Sequence, residues 1–115
     1  MAFIGGYEMK KVAVKELTHE QITWFVELVE RMRNGDPYRV DCRVLGVIRN
    51  YCADWSLAGP IIERERIGIY HTDDGFTAST IAVGKINYVE GAHLLPAAMR
   101  CYVLAVFGDV VELPE

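Results

Sequence analysis

The residue types that carry out chemistry are thinly spread along this chain. Its three histidines, His19, His71 and His93, stand far apart. None pairs with another histidine or a cysteine at a ligand spacing such as H-x3-H or C-x2-C, so no metal site is expected. The only serines are Ser56 and Ser79, and neither lies in a context that a general base would activate. No nucleophile elbow, phosphate-binding glycine loop or H-E-x-x-H helix is present. We therefore expect no catalytic residues and no cofactor.

Four residues stand out as candidate ligand contacts: Trp55, Arg64, Arg66 and Arg100. In the Glu63-Arg64-Glu65-Arg66 run, an extended chain puts the two acids on one face and the two arginines on the other. A helix instead pairs Glu63 with Arg66 at i,i+3. Either way Arg64 or Arg66 can line a small anion site beside Trp55. A guanidinium binds phosphate bidentately and an indole stacks on a base, so the set suits a nucleotide-like anion. The competing reading is a solvated face with weak ion pairs, and for Trp55 a core plug. Arg100 is the only charge between His93 and Phe107. A charge on a buried helix needs a partner. A salt bridge to Asp54 or Glu63 is one solution, and an anionic ligand at a pocket or subunit interface is the other.

These residues must be positioned by a chain of 115 residues, enough for one domain. Half of it is apolar (51%), which excludes wholesale disorder. The net charge of −4 and a pI near 5.4 argue against nucleic acid as a partner. No apolar run is long enough to span a membrane. The start resembles no secretory signal. Met9 is an alternative first residue, which would make residues 1–8 a loose extension. Three cysteines, Cys42, Cys52 and Cys101, do not make a disulfide framework, and reduced thiols are expected. Cys42 and Cys101 read as core, and Cys52 as the accessible one.

Alternation predicts a strand over Lys11–Leu17. Thr18 and Gln21 then form a capping box, with Leu17 and Ile22 as a hydrophobic staple. The helix from Thr18 to Arg33 turns Ile22, Phe25, Val26, Val29 and Met32 inward and Glu20, Glu27, Glu30 and Arg31 mostly outward. Gly35 ends it and Asp36-Pro37 turns the chain. A second strand is expected over Tyr38–Val44, a bend at Gly46, and a packed-down loop over Asn50–Pro60 carrying Tyr51, Trp55 and Leu57. Ile61–Arg66 leads into a strand over Ile67–His71. The Asp74-Gly75 pair predicts a hairpin to Phe76–Val83, followed by a strand at Ile86–Val89. A second, nearly all-apolar helix runs from His93 to Phe107, with Pro96 in its first turn, His93 placed to cap it and Gly108 ending it. The tail is short and acidic. The expected fold is a single α+β domain over 1–115: a small antiparallel sheet of three to five strands packed against two main helices.

Two separated blocks resemble one family. D-W-S-L-A-G-P-I-I-E-R-E-R-I over 54–67 is similar to the W-x(n)-P-I-I-x-x-x-R-I stretch of NinX-like bacteriophage proteins. L-P-A-A-M-R-C-Y-V over 95–103, followed by Phe107-Gly108-Asp109, is similar to their closing P-L-x-A-A-M-R-x-[YF]-V and F-G-D segment. The opening M-K-K-V-A-V-K-E-L over 9–17 and the helix carrying Trp24 resemble theirs as well. The departures are His93-Leu94 in place of a Thr-Pro helix start, and a stretch over 38–50 that matches nothing. The resemblance implies a phage or prophage origin and the cytoplasm of a bacterial host. It implies no reaction and supplies no catalytic residues.

Three functions are compatible with these features. The first is a non-enzymatic accessory module that captures a host protein or a small anionic, nucleotide-like ligand, with counter-defence as its setting and a homo-oligomer as its form. The second is a structural interaction protein without a ligand. The third is a small hydrolase using Asp54, Glu63 or His71.

Overall fold

The computed structural model describes residues 3–4, 7–33, 49–82 and 85–114. The strand expected over Tyr38–Val44, the Gly35 and Asp36-Pro37 signals, Gly46 and Cys42 lie outside the described residues. The elements run β1 (Phe3–Ile4), β2 (Tyr7–Ala13), a 3-10 turn (Val14–Glu16), α1 (His19–Arg33), α2 (Trp55–Arg64), β3 (Gly68–Thr72), β4 (Gly75–Ala82), β5 (Lys85–Gly91), α3 (Leu94–Phe107) and β6 (Val110–Pro114). The α+β class is as expected. The architecture differs from the expectation in having two antiparallel sheets, β1-β2-β6 and β3-β4-β5, and a third helix.

The helix α3 is the axis of the core. Ala97, Ala98, Met99, Cys101, Tyr102 and Val103 are all at most 1% exposed. A helix this apolar must be covered on most sides. The β3-β4-β5 sheet covers one side, α1 another, and α2 a third. Small residues set the approach to the sheet. A Cβ on Gly91 would lie 3.3 Å from the Ala97 Cβ, and the Cys101 thiol points at the Asn87 carbonyl at 3.6 Å.

The start of α1 forms as its sequence dictates. The Thr18 backbone N–H donates to Gln21 Oε1 at 2.9 Å, and the Gln21 N–H donates back to Thr18 Oγ1 at 3.2 Å. Leu17 and Ile22 are both buried. The hairpin also forms: Thr72 pairs with Gly75 and the register continues through Ile69↔Ala78 and Ala78↔Val89. Gly75 opens β4 rather than sitting inside the turn. Its absent Cβ is what lets the Gly91 carbonyl approach, since a Cβ there would be 2.3 Å from that oxygen.

Several expectations are corrected. The first strand ends at Ala13, because Val14 to Glu16 turn into a 3-10 segment held by the Val14 N–H donating to the Asp109 carbonyl at 2.9 Å. The loop expected over Asn50–Pro60 is helical from Trp55. Asp54 caps it, accepting from the Ser56 N–H at 2.9 Å and the Ser56 hydroxyl at 2.6 Å. Gly59-Pro60 would normally break a helix, with an interior proline costing ~3 kcal/mol. Burying Ala58 and Ile61 against α3 keeps the segment helical. Ile61–Arg64 therefore belong to α2 and not to the approach of β3. The acidic tail is β6, paired antiparallel with β2 from Met9↔Pro114 to Ala13↔Val110. Cys52 is buried rather than accessible, and Met32 is 64% exposed rather than inside. His93 takes the N-cap position of α3 but makes no capping bond with its side chain.

Candidate functional site

Two carboxylates on the flank of α1, Glu27 and Glu30, are each the centre of an ion-pair cluster. Glu27 was expected outward; it is 3% exposed, because the turn around Tyr51 folds over it. It accepts from the Tyr51 hydroxyl at 2.7 Å and from Arg31 Nε and Arg49 Nη1 at 3.1 and 3.3 Å. One turn on, Glu30 accepts both Arg64 Nη1 and Nη2, at 3.0 and 2.7 Å, in the bidentate fork that suits a guanidinium. The Tyr102 hydroxyl donates to the same carboxylate at 2.8 Å and accepts from Arg64 Nη2 at 3.0 Å. Arg64 Nε also meets Glu65 at 2.7 Å, and Glu65 accepts from Arg33 at 3.2 Å. The second cluster therefore ties α1, α2 and α3 together.

The proton energetics follow. Burial works to raise the Glu30 carboxyl, and Arg64 and Tyr102 outweigh it, so the group titrates below its ordinary 4.5. Burial and the Glu30 carboxylate push the Tyr102 phenol up. A carboxyl with a lowered folded-state pKa contributes stability that is present above the unfolded value and lost as pH falls through the folded one. We expect the urea midpoint to fall between about pH 5 and 3, and Glu30→Gln to flatten that fall. Urea titrations of both proteins across this range are the check, and parallel profiles would refute the assignment.

The four candidate ligand contacts are not gathered around one point. Trp55 opens α2 and Arg64 closes it, nine residues later, or roughly 13 Å along the axis. Trp55 is 56% exposed and so is not a core plug. Arg64 is held by Glu30 and Glu65. Arg66 is exposed and adopts φ 53°, the left-handed position that terminates a helix. Arg100 does not reach Asp54 or Glu63. Its Nη2 donates to the Leu17 backbone carbonyl at 2.8 Å, in front of α1, whereas Arg64 meets α1 at Glu30, ~20 Å further along that helix. The Arg100 Nε is buried without an acceptor, and burial lowers the guanidinium pKa.

A surface the residue types did not single out lies on the β3-β4-β5 sheet, on the side away from α3. Strand alternation turns Ala78, Thr80, Asn87 and Val89 inward, all at most 8% exposed. The outer side carries Tyr70 (60% exposed), Ile81 (74%), Ile86 (67%) and Tyr88 (55%). Register makes them neighbours: Ile81 pairs with Ile86, Ser79 with Tyr88, and Tyr70 with Thr77. The Lys15 ammonium stands 5.4 Å from the Tyr88 ring centre at the margin. Towards the end of β4 and the start of β5 the usual polarity is reversed: Thr80 and Asn87 point inward, while Ile81, Ile86 and Tyr88 point outward. The signal was present in the hairpin register that Asp74-Gly75 sets, which fixes which residues share a face.

Among the described residues no group of three or more acids, histidines or cysteines could hold a metal ion. No helix of the described chain is long and apolar enough to cross a membrane. No curated protein matches the sequence. The sequence profile described as Bacteriophage P22, NinX matches residues 13–105, from the last residue of β2 through most of α3. Since that is more than half of the chain, the protein belongs to the NinX family of bacteriophage proteins.

Proposed function

We propose that this phage protein is a non-enzymatic accessory module that works in the host cytoplasm by contact with another protein, through the outer face of the β3-β4-β5 sheet. The observation that carries this reading is the set of four large apolar side chains, Tyr70, Ile81, Ile86 and Tyr88, each more than half exposed on one sheet face. Isolated exposed hydrophobics are ordinary, but a contiguous apolar patch on a rigid sheet marks an interaction surface. Neutralising a host defence protein is one setting in which a phage would need such a module.

Affinity capture from infected bacteria tests it. The tagged wild-type chain should retain a protein partner, or a second copy of itself, that Ile81→Asp loses while its circular dichroism is unchanged. Retention by the variant equal to the wild type would refute the reading.

Arg100 supports a second reading, in which the module holds a small anion. Its guanidinium has a donor without an acceptor and no carboxylate partner among the described residues. Native mass spectrometry of the protein from its host, set against the denatured mass, would reveal such a ligand as extra mass released on unfolding. A clean mass would dismiss it.

A further inference from the structure

We infer that the partner seated on the outer sheet face is a second copy of this chain, related by a two-fold axis that lies between the two sheets and runs perpendicular to their strands. This rests on the reading of that face as the contact surface. Three observations select the occupant.

The first is area. At their observed exposures Tyr70, Tyr88, Ile81 and Ile86 offer on the order of 100–150 Å² each, so two copies that covered them fully would bury roughly 800–1,200 Å², a range that reaches the threshold of a specific interface.

The second is charge. The chain carries −4, yet the middle of this face is uncharged. Thr77 and Ser79 lie at its centre, with Glu90 on one margin and Lys15 on another. A neutral, aromatic-rich centre is the composition of interface cores.

The third is shape. On β4 the outward residues are Thr77, Ser79 and Ile81, small at one end and large at the other. Ile81 and its neighbour Ile86 form a ridge, and Thr77 and Ser79 form a trough between Tyr70 and Tyr88. A two-fold axis between the copies, level with Ser79 and perpendicular to the strands, lays Ile81 of each copy over Thr77 of the other, and Ile86 over the stem of Glu90, which keeps its carboxylate at the margin. An isologous interface requires this reciprocity, in which each contact occurs twice. Two sheet faces packed ~10 Å apart form a sandwich.

Sedimentation velocity at about 20 µM, with variants that test the register, decides it. The wild type should sediment at twice the 13.0 kDa chain mass. Ile81→Lys alone and Thr77→Asp alone should each sediment as the single chain, with circular dichroism unchanged. An equimolar mixture of the two should recover the dimer, because one Lys–Asp pair then crosses the axis and the other contact is the wild-type one.

A wild-type dimer that both variants leave intact, or a mixture that stays monomeric, would overturn the two-fold register. A wild-type monomer whose capture of a different protein is lost in Ile81→Lys would overturn the second copy as occupant and leave the face as the contact surface. A monomer whose captured proteins are the same with and without Ile81→Lys would overturn both.

Discussion

Replacing Glu27 with alanine should lower the unfolding free energy by about 2–3 kcal/mol, a large share of what a domain of this size possesses. The carboxylate is almost fully buried and accepts three hydrogen bonds, from Tyr51, Arg31 and Arg49. Its removal strands the Tyr51 hydroxyl, which is itself on a buried ring. The arginines lose less, since both guanidiniums reach solvent and surface ion pairs are worth little. Tyr51→Phe should therefore cost about 1–2 kcal/mol, and the double variant less than the sum, because the two residues share one bond. Urea melts of the four proteins of this cycle are the measurement. Additive losses would mean that Glu27 acts through its arginines rather than through Tyr51.

Gly75→Ala should cost about 3 kcal/mol, or roughly 15 °C in Tm. The new Cβ would stand 2.3 Å from the Gly91 carbonyl oxygen and 3.0 Å from the Ala92 Cα. Both obstacles are backbone, so no side-chain rotation relieves them. The residue also has a φ of 157°, on the positive side where glycine is at ease. Gly75 begins β4 one residue before Phe76, the partner of Gly91 at the end of β5, so relief of the clash must part the two strands whose outer faces carry Ile81, Ile86 and Tyr88. Thermal unfolding followed by circular dichroism checks the magnitude. A Tm within about 3 °C of the wild type would show that the two strands separate freely at that end.

The parts of this fold that were legible in the sequence are local ones. The Thr18/Gln21 capping box, the Asp73-Asp74-Gly75 hairpin and the Gly108 end of α3 each depend on residues a few positions apart. The parts that were not legible depend on distant partners. Gly59 and Pro60 are correct signals for a break, and α3 overrides them by burying Ala58 and Ile61. β6 is five residues long, too short for a period, and becomes a strand only by pairing with β2. Glu27 has the composition of a surface helix position, and its burial is decided by Tyr51, which lies 24 residues away.

The same distinction applies to the site. Arg64 was visible as a charged residue in an unusual run. Its actual role, clamping α1 and α3 through Glu30 and Tyr102, depends on contacts 34 and 38 residues away. The outer sheet face escaped notice for a different reason. Alternation along β4 and β5 separates two faces without saying which one is covered, and close packing of the Ala97 side of α3 reserves the inner face for small residues such as Ala78 and Thr80. Ile81, Ile86 and Tyr88 are left on the outside.

The central claim is that this face is covered when the protein is at work. Hydroxyl-radical footprinting in infected cells tests it most directly, because the chain carries its own references. Trp55 and Met32 are 56% and 64% exposed, matching Tyr88 and Tyr70 at 55% and 60%. Relative to Trp55 and Met32, oxidation of Tyr70 and Tyr88 should be several-fold slower in the cell than in the dilute purified chain. An unchanged ratio would mean that the face stays open to water, and would contradict the account.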